Sequence, residues 1–314
     1  MLDSMVDVRV DARVDAQADV QLMVDGKNML GECVLWCERS ERVLWTDILG
    51  ATLYAHHPAS GRTEQWAMPE RLACFALTAD DDRLLLGLAS RLAFFDFSSG
   101  ALTPICAVEA HLPGTRLNDG RVDRQGRFVF GTFNEADPRP AIGGFYRLNR
   151  DLTLERLALQ DVGIANSICF SPDGATMYYC DSPEKKIRCC SYDTASGAVS
   201  AARVFADLGA AGGEPDGSTI DADGRLWNAL WGARRVVCYA PDGSVLRELA
   251  LPASQPSCVA FGGPELDTAY VTSARVGLDA AALAAEPSAG GLFSATLAGV
   301  RGLPEQRFQL RLDS

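Results

Sequence analysis

Short apolar runs alternate with polar turns along almost the whole chain, and the alternation has a period of two, not of 3.6. The unit is an apolar strand, a tight polar turn and a second apolar strand. It recurs as VLWCERSERVLWTDI (34–48), FALTADDDRLLLGLA (75–89), GRVDRQGRFVFGTF (120–133), ICFSPDGATMYYCD (168–181), STIDADGRLWNALW (218–231) and VAFGGPELDTAYVTSA (259–274). The turn tetrads DRQG, SPDG and DADG supply the Asp and Gly that tight turns favour. Each unit is followed by a less regular hairpin, the last being GGLFSATLAGVRGLPEQRF. Two hairpins make a four-stranded meander, and six meanders of this length predict an all-β, six-bladed β-propeller with antiparallel blades. Alternation with β-branched and aromatic residues excludes helical repeats.

The stretch 19–24, DVQLMV, alternates and precedes the first repeat, so it is expected to add a strand to the last blade and close the ring. Residues 1–17 show no partner hairpin and are expected to form a mobile tail, leaving 18–314 as a single propeller domain.

The first strand of every propeller blade lines the central axis, so equivalent positions of the six repeats converge. Just before each first strand stand Glu32, Ala73, Asn118, Asn166, Asp216 and Ser257, at steps of 41, 45, 48, 50 and 41 residues. Two carboxylates and two carboxamides are thereby expected at one mouth of the axis. Carboxylates facing one axis repel unless a cation or proton lies between them. Oxygen ligands suit hard ions such as Ca²⁺, Mg²⁺ or Mn²⁺, and no His or Cys joins this ring to favour zinc. The bland alternative is that Asn118, Asn166 and Asp216 merely cap their own turns.

Composition narrows the picture further. The formal net charge of −12 over 314 residues argues against nucleic acid, which needs a basic footprint. No apolar run is long enough to span a membrane, and the N-terminus lacks the features of a signal peptide. Most of the ten cysteines sit in apolar strand runs, and no C-x-x-C pair occurs. Cys189 and Cys190 are neighbours on a strand and point to opposite faces. A cytoplasmic location fits this usage best.

At these segments the chain resembles the SMP-30/gluconolactonase family, the family of the regucalcins and bacterial sugar lactonases. The matching stretches are GECVLW (31–36), RLNDGRVDRQGRFVFGT (116–132), NSICFSPDG (166–174), EPDGSTIDADGRLWNALW (214–231) and TAYVTSAR (268–275). The resemblance implies that Glu32, Asn166 and Asp216 hold one divalent metal ion and that Arg116 and Asn118 contact a sugar. It leaves the ion open among calcium, magnesium, manganese and zinc. The implied activity is hydrolysis of a sugar-acid lactone, with the ion as Lewis acid and Asp216 as candidate general base. The regucalcin branch carries a glutamate pair soon after a G-T-M motif; here GTFNEA gives Glu135 followed by Ala136, so that branch's substrate preference does not transfer.

Other signals carry less. No G-x-S-x-G elbow occurs. His56 and His57 are expected to be exposed in the AHHPASG hairpin, and His111 is expected to be a loop residue. Asp80, Asp81 and Asp82 occupy a turn and lack the remaining EF-hand ligands. Trp227 is expected in the core, with Trp231 able to end near the axis. A propeller can also bind without chemistry, so a non-catalytic binding platform and a calcium-binding regulator stand as alternatives. The expected partner is a small sugar lactone, and the sequence leaves the oligomeric state open.

Overall fold

The structure is a computed structural model that describes residues 18–209 and 212–311, together with the backbone of residues 13 and 14. It consists of six four-stranded antiparallel sheets arranged as a six-bladed β-propeller. From the axis outward, blade 1 runs Gly31–Cys37, Arg42–Asp47, Thr52–His57 and Arg62–Ala67. Blade 2 runs Leu72–Leu77, Arg83–Leu88, Arg91–Asp96 and Leu102–Ala107. Blade 3 comprises Thr115–Val122, Phe128–Asn134, Phe145–Leu148 and Leu154–Arg156, and blade 4 Ala165–Phe170, Thr176–Asp181, Lys186–Tyr192 and Val199–Asp207. Blade 5 comprises Glu214–Ile220, Leu226–Trp231, Arg235–Tyr239 and Val245–Ala250.

Blade 6 takes three strands from the end of the chain, Pro256–Gly262, Thr268–Ser273 and Leu292–Thr296, and its outer strand, Gln21–Val24, from the beginning. Gln21 lies opposite Ser294 and Leu22 opposite Phe293. This is the expected closure, and it ties the chain's two ends into one sheet. It also corrects the expected second hairpin of blade 6. Only Leu292–Thr296 is a strand; the residues that follow cross the opposite end of the axis, because the outer position is already taken. There Glu305 pairs with Arg121 at 2.8 Å, Arg307 donates to the Thr78 carbonyl, and Phe308 pairs with Thr78.

The expected tail, residues 1–17, lies outside the described residues except for Arg13–Val14. That pair runs parallel to the outer strand of blade 5, opposite Arg247 and Glu248.

Each sheet is sandwiched between two others, which explains why the inner strands read as unbroken apolar runs. Leu72–Leu77 is buried at every position. The core lies between blades: Val34, Trp36, Val43 and Trp45 of blade 1 pack on Cys258, Ala260, Tyr270 and Leu292 of blade 6. The turn tetrads behave as their sequences predict, with Gly126 and Gly174 at φ +83° and +75°, where only glycine is unstrained. All ten cysteines are free thiols, and Cys189 and Cys190 pack in different clusters on opposite faces of their strand. Among the described residues no helix is long and apolar enough to cross a membrane.

One expectation about side chains fails. His56 is buried, because it sits inside a strand of blade 1 with Nδ1 2.8 Å from the Thr63 hydroxyl, and only His57 is partly open, beside Glu64.

Candidate active site

Every inner strand carries a register shift at the ring position. The shifts fall between Glu32 and Leu35, Leu72 and Cys74, Leu117 and Gly120, Asn166 and Cys169, Pro215 and Ser218, and Pro256 and Cys258. A bulge inserts an unpaired residue and re-aims the side chains around it. Cys33 and Ser167 accordingly adopt left-handed backbone, φ 48° and 60°. Six such bulges turn Glu32, Asn118, Asn166 and Asp216 toward the axis, where all four line one cavity of about 470 Å³. Its walls come from two kinds of segment: the chain entering each inner strand (Leu30, Ile164, Glu214, Pro215) and the ends of second strands with the loops after them (Leu49, Phe133, Glu135, Arg139, Ser182, Trp231, Val276).

Glu32 and Asp216 meet closely enough to share one proton. Burial pushes both carboxyls upward, and the negative charge of Asp119 pushes both further; the charge of Glu32 adds to the rise of Asp216, while the hydrogen bond between the two offsets part of the rise of Glu32. Glu32 also accepts the Cys33 N–H at 3.1 Å. The bland reading of these positions as local caps does not hold, since the amides bond across blades. Asn118 Nδ2 donates to the Ala165 carbonyl and to Asn166 Oδ1, both at 2.9 Å. Asn166 Nδ2 donates to Ser182 Oγ at 2.9 Å, and that hydroxyl donates to the Pro215 carbonyl at 2.7 Å. This relay fixes the Asn166 amide with Oδ1 on the side of Asn118. Such an outer shell of hydrogen bonds orients ligating groups at metal sites.

Asp216 is held through its backbone. Its carbonyl accepts from Ser167 Oγ and from Asn228 Nδ2, the latter at 2.9 Å. Beneath the ring Asp119 accepts the N–H groups of Gly120 and Ile168 at 2.8 and 2.7 Å, and burial raises its carboxyl as well.

Arg116 is only 4% exposed. Its Nη1 donates to Asn118 Oδ1 at 2.6 Å and to the Leu117 carbonyl, its Nε lies 3.4 Å from Glu135, and its guanidinium stacks 4.3 Å from the Phe133 ring centre. Burial lowers its pKa to about 10, which leaves it charged at neutral pH. Glu135 is clamped by Arg71 through two bonds of 2.5 and 2.8 Å, and that pairing holds its carboxyl below the usual range.

All five residues singled out from the sequence therefore meet in one cavity: Glu32, Asn118, Asn166 and Asp216 on its floor and Arg116 beside them. Sequence reasoning missed Ser182, Ser167, Asn228, Asp119, Phe133 and Arg139. Ser167 and Asp119 each follow a ring position, and that offset was available in the repeat alignment; the others lie on second strands or loops, with no recurring residue type to mark them. Trp231, left open between core and axis, lines the cavity, whereas Trp227 is buried with its indole N–H on Asp221.

The floor suits a cation. It offers two carboxylates in mutual repulsion and an amide oxygen held by a relay, an all-oxygen set of the kind hard divalent ions take. Among the described residues no group of three or more His, Cys, Asp or Glu forms an alternative centre.

Comparison with known proteins agrees with this architecture. Residues 30–275 match the SMP-30/Gluconolactonase/LRE-like region. The L-arabinolactonase of Azospirillum brasilense is 56% identical over 275 residues, 87% of this chain and 90% of the relative. The regucalcin of Danio rerio is 32% identical, over 90% of this chain and 96% of that one. The crystal structure of a calcium-binding protein, regucalcin, from Agrobacterium tumefaciens superposes with a TM-score of 0.89 at 33% identity, covering 94% of this chain and 98% of the other. The chain belongs to the SMP-30/gluconolactonase/LRE-like family.

Proposed function

We propose that this protein hydrolyses a sugar lactone to the open-chain sugar acid, using a divalent cation held by Glu32, Asn166 and Asp216. The observation that carries the reading is the pairing of half-buried Glu32 with buried Asp216 on the floor of a cavity large enough for a sugar. Similarity to an L-arabinolactonase over most of both chains supports a lactone as substrate and makes L-arabinonolactone the first one to try.

Bound at this floor, a divalent cation supplies Lewis acidity to the lactone carbonyl. Asp216 serves as general base, taking a proton from the water that adds to that carbonyl. Glu32, from blade 1, and Asn166, from blade 4, would complete the cation's oxygen ligands with Asp216. When the ring C–O bond breaks, the departing ring oxygen takes up a proton, and the product is a hydroxy acid. Arg116 has only donors to offer and presents them to the sugar's oxygens. Asn118 contributes chiefly by orienting Asn166 and Arg116, since both its amide protons and its oxygen are engaged. Phe133, Leu49, Trp231 and Val276 form apolar walls against which a sugar ring can pack.

Ten free thiols support a reducing, cytoplasmic setting. The test is acid release from a panel of aldonolactones, with and without a chelator. Absence of hydrolysis across the panel with cation present overturns the enzyme reading. A second reading follows from the similarity to a structure described as a calcium-binding protein: the same floor would hold calcium without turnover. Cation binding measured alongside an inert panel would favour it.

A further inference from the structure

One cation on the cavity wall has no counterpart in the site described so far. Arg139 lies on the loop that follows the second strand of blade 3 and lines the cavity. Its Nε donates to the Asn134 carbonyl at 2.6 Å, and its guanidinium stacks 4.7 Å from the centre of the same Phe133 ring that supports Arg116. No protein group among the described residues accepts from its Nη1 or Nη2. The Asp181 carboxylate is near enough to feel the charge of Arg139, but its oxygens accept the N–H groups of Gly163 and Ile164 at 2.9 Å each and no hydrogen bond joins it to Arg139. Glu135, the other carboxylate of this wall, is clamped by Arg71. Arg139 is thus fixed at its inner edge and free at its outer one, a prearranged fork of donors.

The wall forms a continuous series from the floor. Asn118 bonds Arg116, Arg116 stacks on Phe133, and Phe133 stacks on Arg139. A ligand with its carbonyl at Glu32 and Asp216 and its body along blade 3 passes Arg116 and brings its far end to Arg139. In a lactone the far end is where sugars differ: the carbon beyond the ring oxygen and the exocyclic hydroxyl it carries.

We infer that Arg139 is a specificity-determining residue, donating through Nη1 and Nη2 to the exocyclic hydroxyl of a sugar lactone and favouring lactones that possess that group. This rests on the lactonase reading of the same site. The size of the effect follows from the bond. A hydrogen bond from a charged donor contributes about 1.5–3 kcal/mol, which corresponds to a selectivity of roughly 10- to 100-fold. Lysine keeps the charge but loses the planar fork, so Arg139→Lys should recover only part of it.

The experiment compares two 1,4-lactones, a five-carbon aldonolactone with its exocyclic hydroxymethyl group and the four-carbon aldonolactone that lacks it. The kcat/KM ratio between them is measured for the parent protein, Arg139→Ala, Arg139→Gln and Arg139→Lys. The ratio should fall about tenfold or more in the Ala and Gln variants, through KM, and less in the Lys variant. Equal losses on both lactones would mean that Arg139 only supports Phe133, and an unchanged ratio would mean that it touches no substrate; either overturns the inference. Calorimetric binding of the matching five- and four-carbon lactams separates this inference from the lactonase reading, because it needs no turnover. Lactam selectivity that depends on Arg139 in a protein that opens no lactone would overturn the lactonase reading and keep the contact. Lactam binding that ignores the hydroxymethyl group would overturn the contact alone.

Discussion

Replacing Glu32 by Gln tests the electrostatics on which the site rests. In the cation-free protein burial and the charge of Asp119 push the Glu32 carboxyl from 4.5 to about 8, against the lowering by its hydrogen bonds to Cys33 and Asp216. A carboxyl whose folded pKa lies above its unfolded value binds more protons when folded. Its contribution to stability is complete below about pH 4.5 and is lost as pH rises toward 8. Each pH unit inside that window removes at most about 1.4 kcal/mol for one fully shifted group, so the ceiling between pH 5 and 7.5 is about 3 kcal/mol. Water entering the cavity and sharing of one proton with Asp216 reduce this to roughly 1–2 kcal/mol, or about 2–4 °C in Tm for a chain of this size.

The Gln side chain keeps the volume and one oxygen while removing one charge of the pair. Chelator-treated parent and Glu32→Gln should melt together near pH 5 and diverge toward pH 7.5, the variant being the more stable. Saturating divalent cation should raise the parent's Tm at pH 7.5 and raise the variant's far less, since stabilisation by a ligand follows its affinity. Scanning calorimetry from pH 5 to 8, with chelator and with cation, reads all of this. Parallel Tm–pH curves for the two proteins, or equal stabilisation of both by cation, would refute the reasoning.

The remaining predictions bear on the division of labour in the cavity. Asp216→Asn keeps a ligand oxygen and the volume but no base, so cation-saturated protein should retain much of its cation affinity and lose about 10²–10⁴-fold in turnover; near-parental turnover in steady-state assays would make Asp216 only a ligand. Arg116→Ala should raise KM and leave calorimetric cation affinity nearly unchanged, whereas loss of the cation would assign Arg116 to support of Asn118 and the floor. Ser182→Ala breaks the relay that orients Asn166 and should weaken cation affinity by roughly 10- to 100-fold, as for other outer-shell groups, without touching the ion; unchanged affinity would show that Asn118 alone fixes the amide.

The chain's alternation of period two, its polar turns (three of them Asp- and Gly-bearing tetrads) and its strand-like runs settled the propeller, because blade structure is local: each hairpin pairs with the next, and a repeat is visible wherever it is copied. The ring of Glu32, Asn118, Asn166 and Asp216 was legible for the same reason, since symmetry converts equal offsets in sequence into one place in space. Even the closing strand at Gln21–Val24 could be read from alternation ahead of the first repeat. What breaks the symmetry was not legible. The bulges that turn the ring residues inward leave no composition signal, and His56 looked like a hairpin residue although it is buried beside Thr63. The strap from Leu297 onward resembled one more hairpin until Gln21–Val24 had taken the outer place in blade 6. Ser182 and Phe133 sit at ends of second strands whose counterparts in other blades carry unlike residues, such as Ile48 in blade 1, and Arg139 lies in a loop, so no recurring residue type pointed to them. Their roles arise where segments distant in sequence meet, from hydrogen bonds and stacking across the cavity, and only the assembled ring of blades brings those partners within reach.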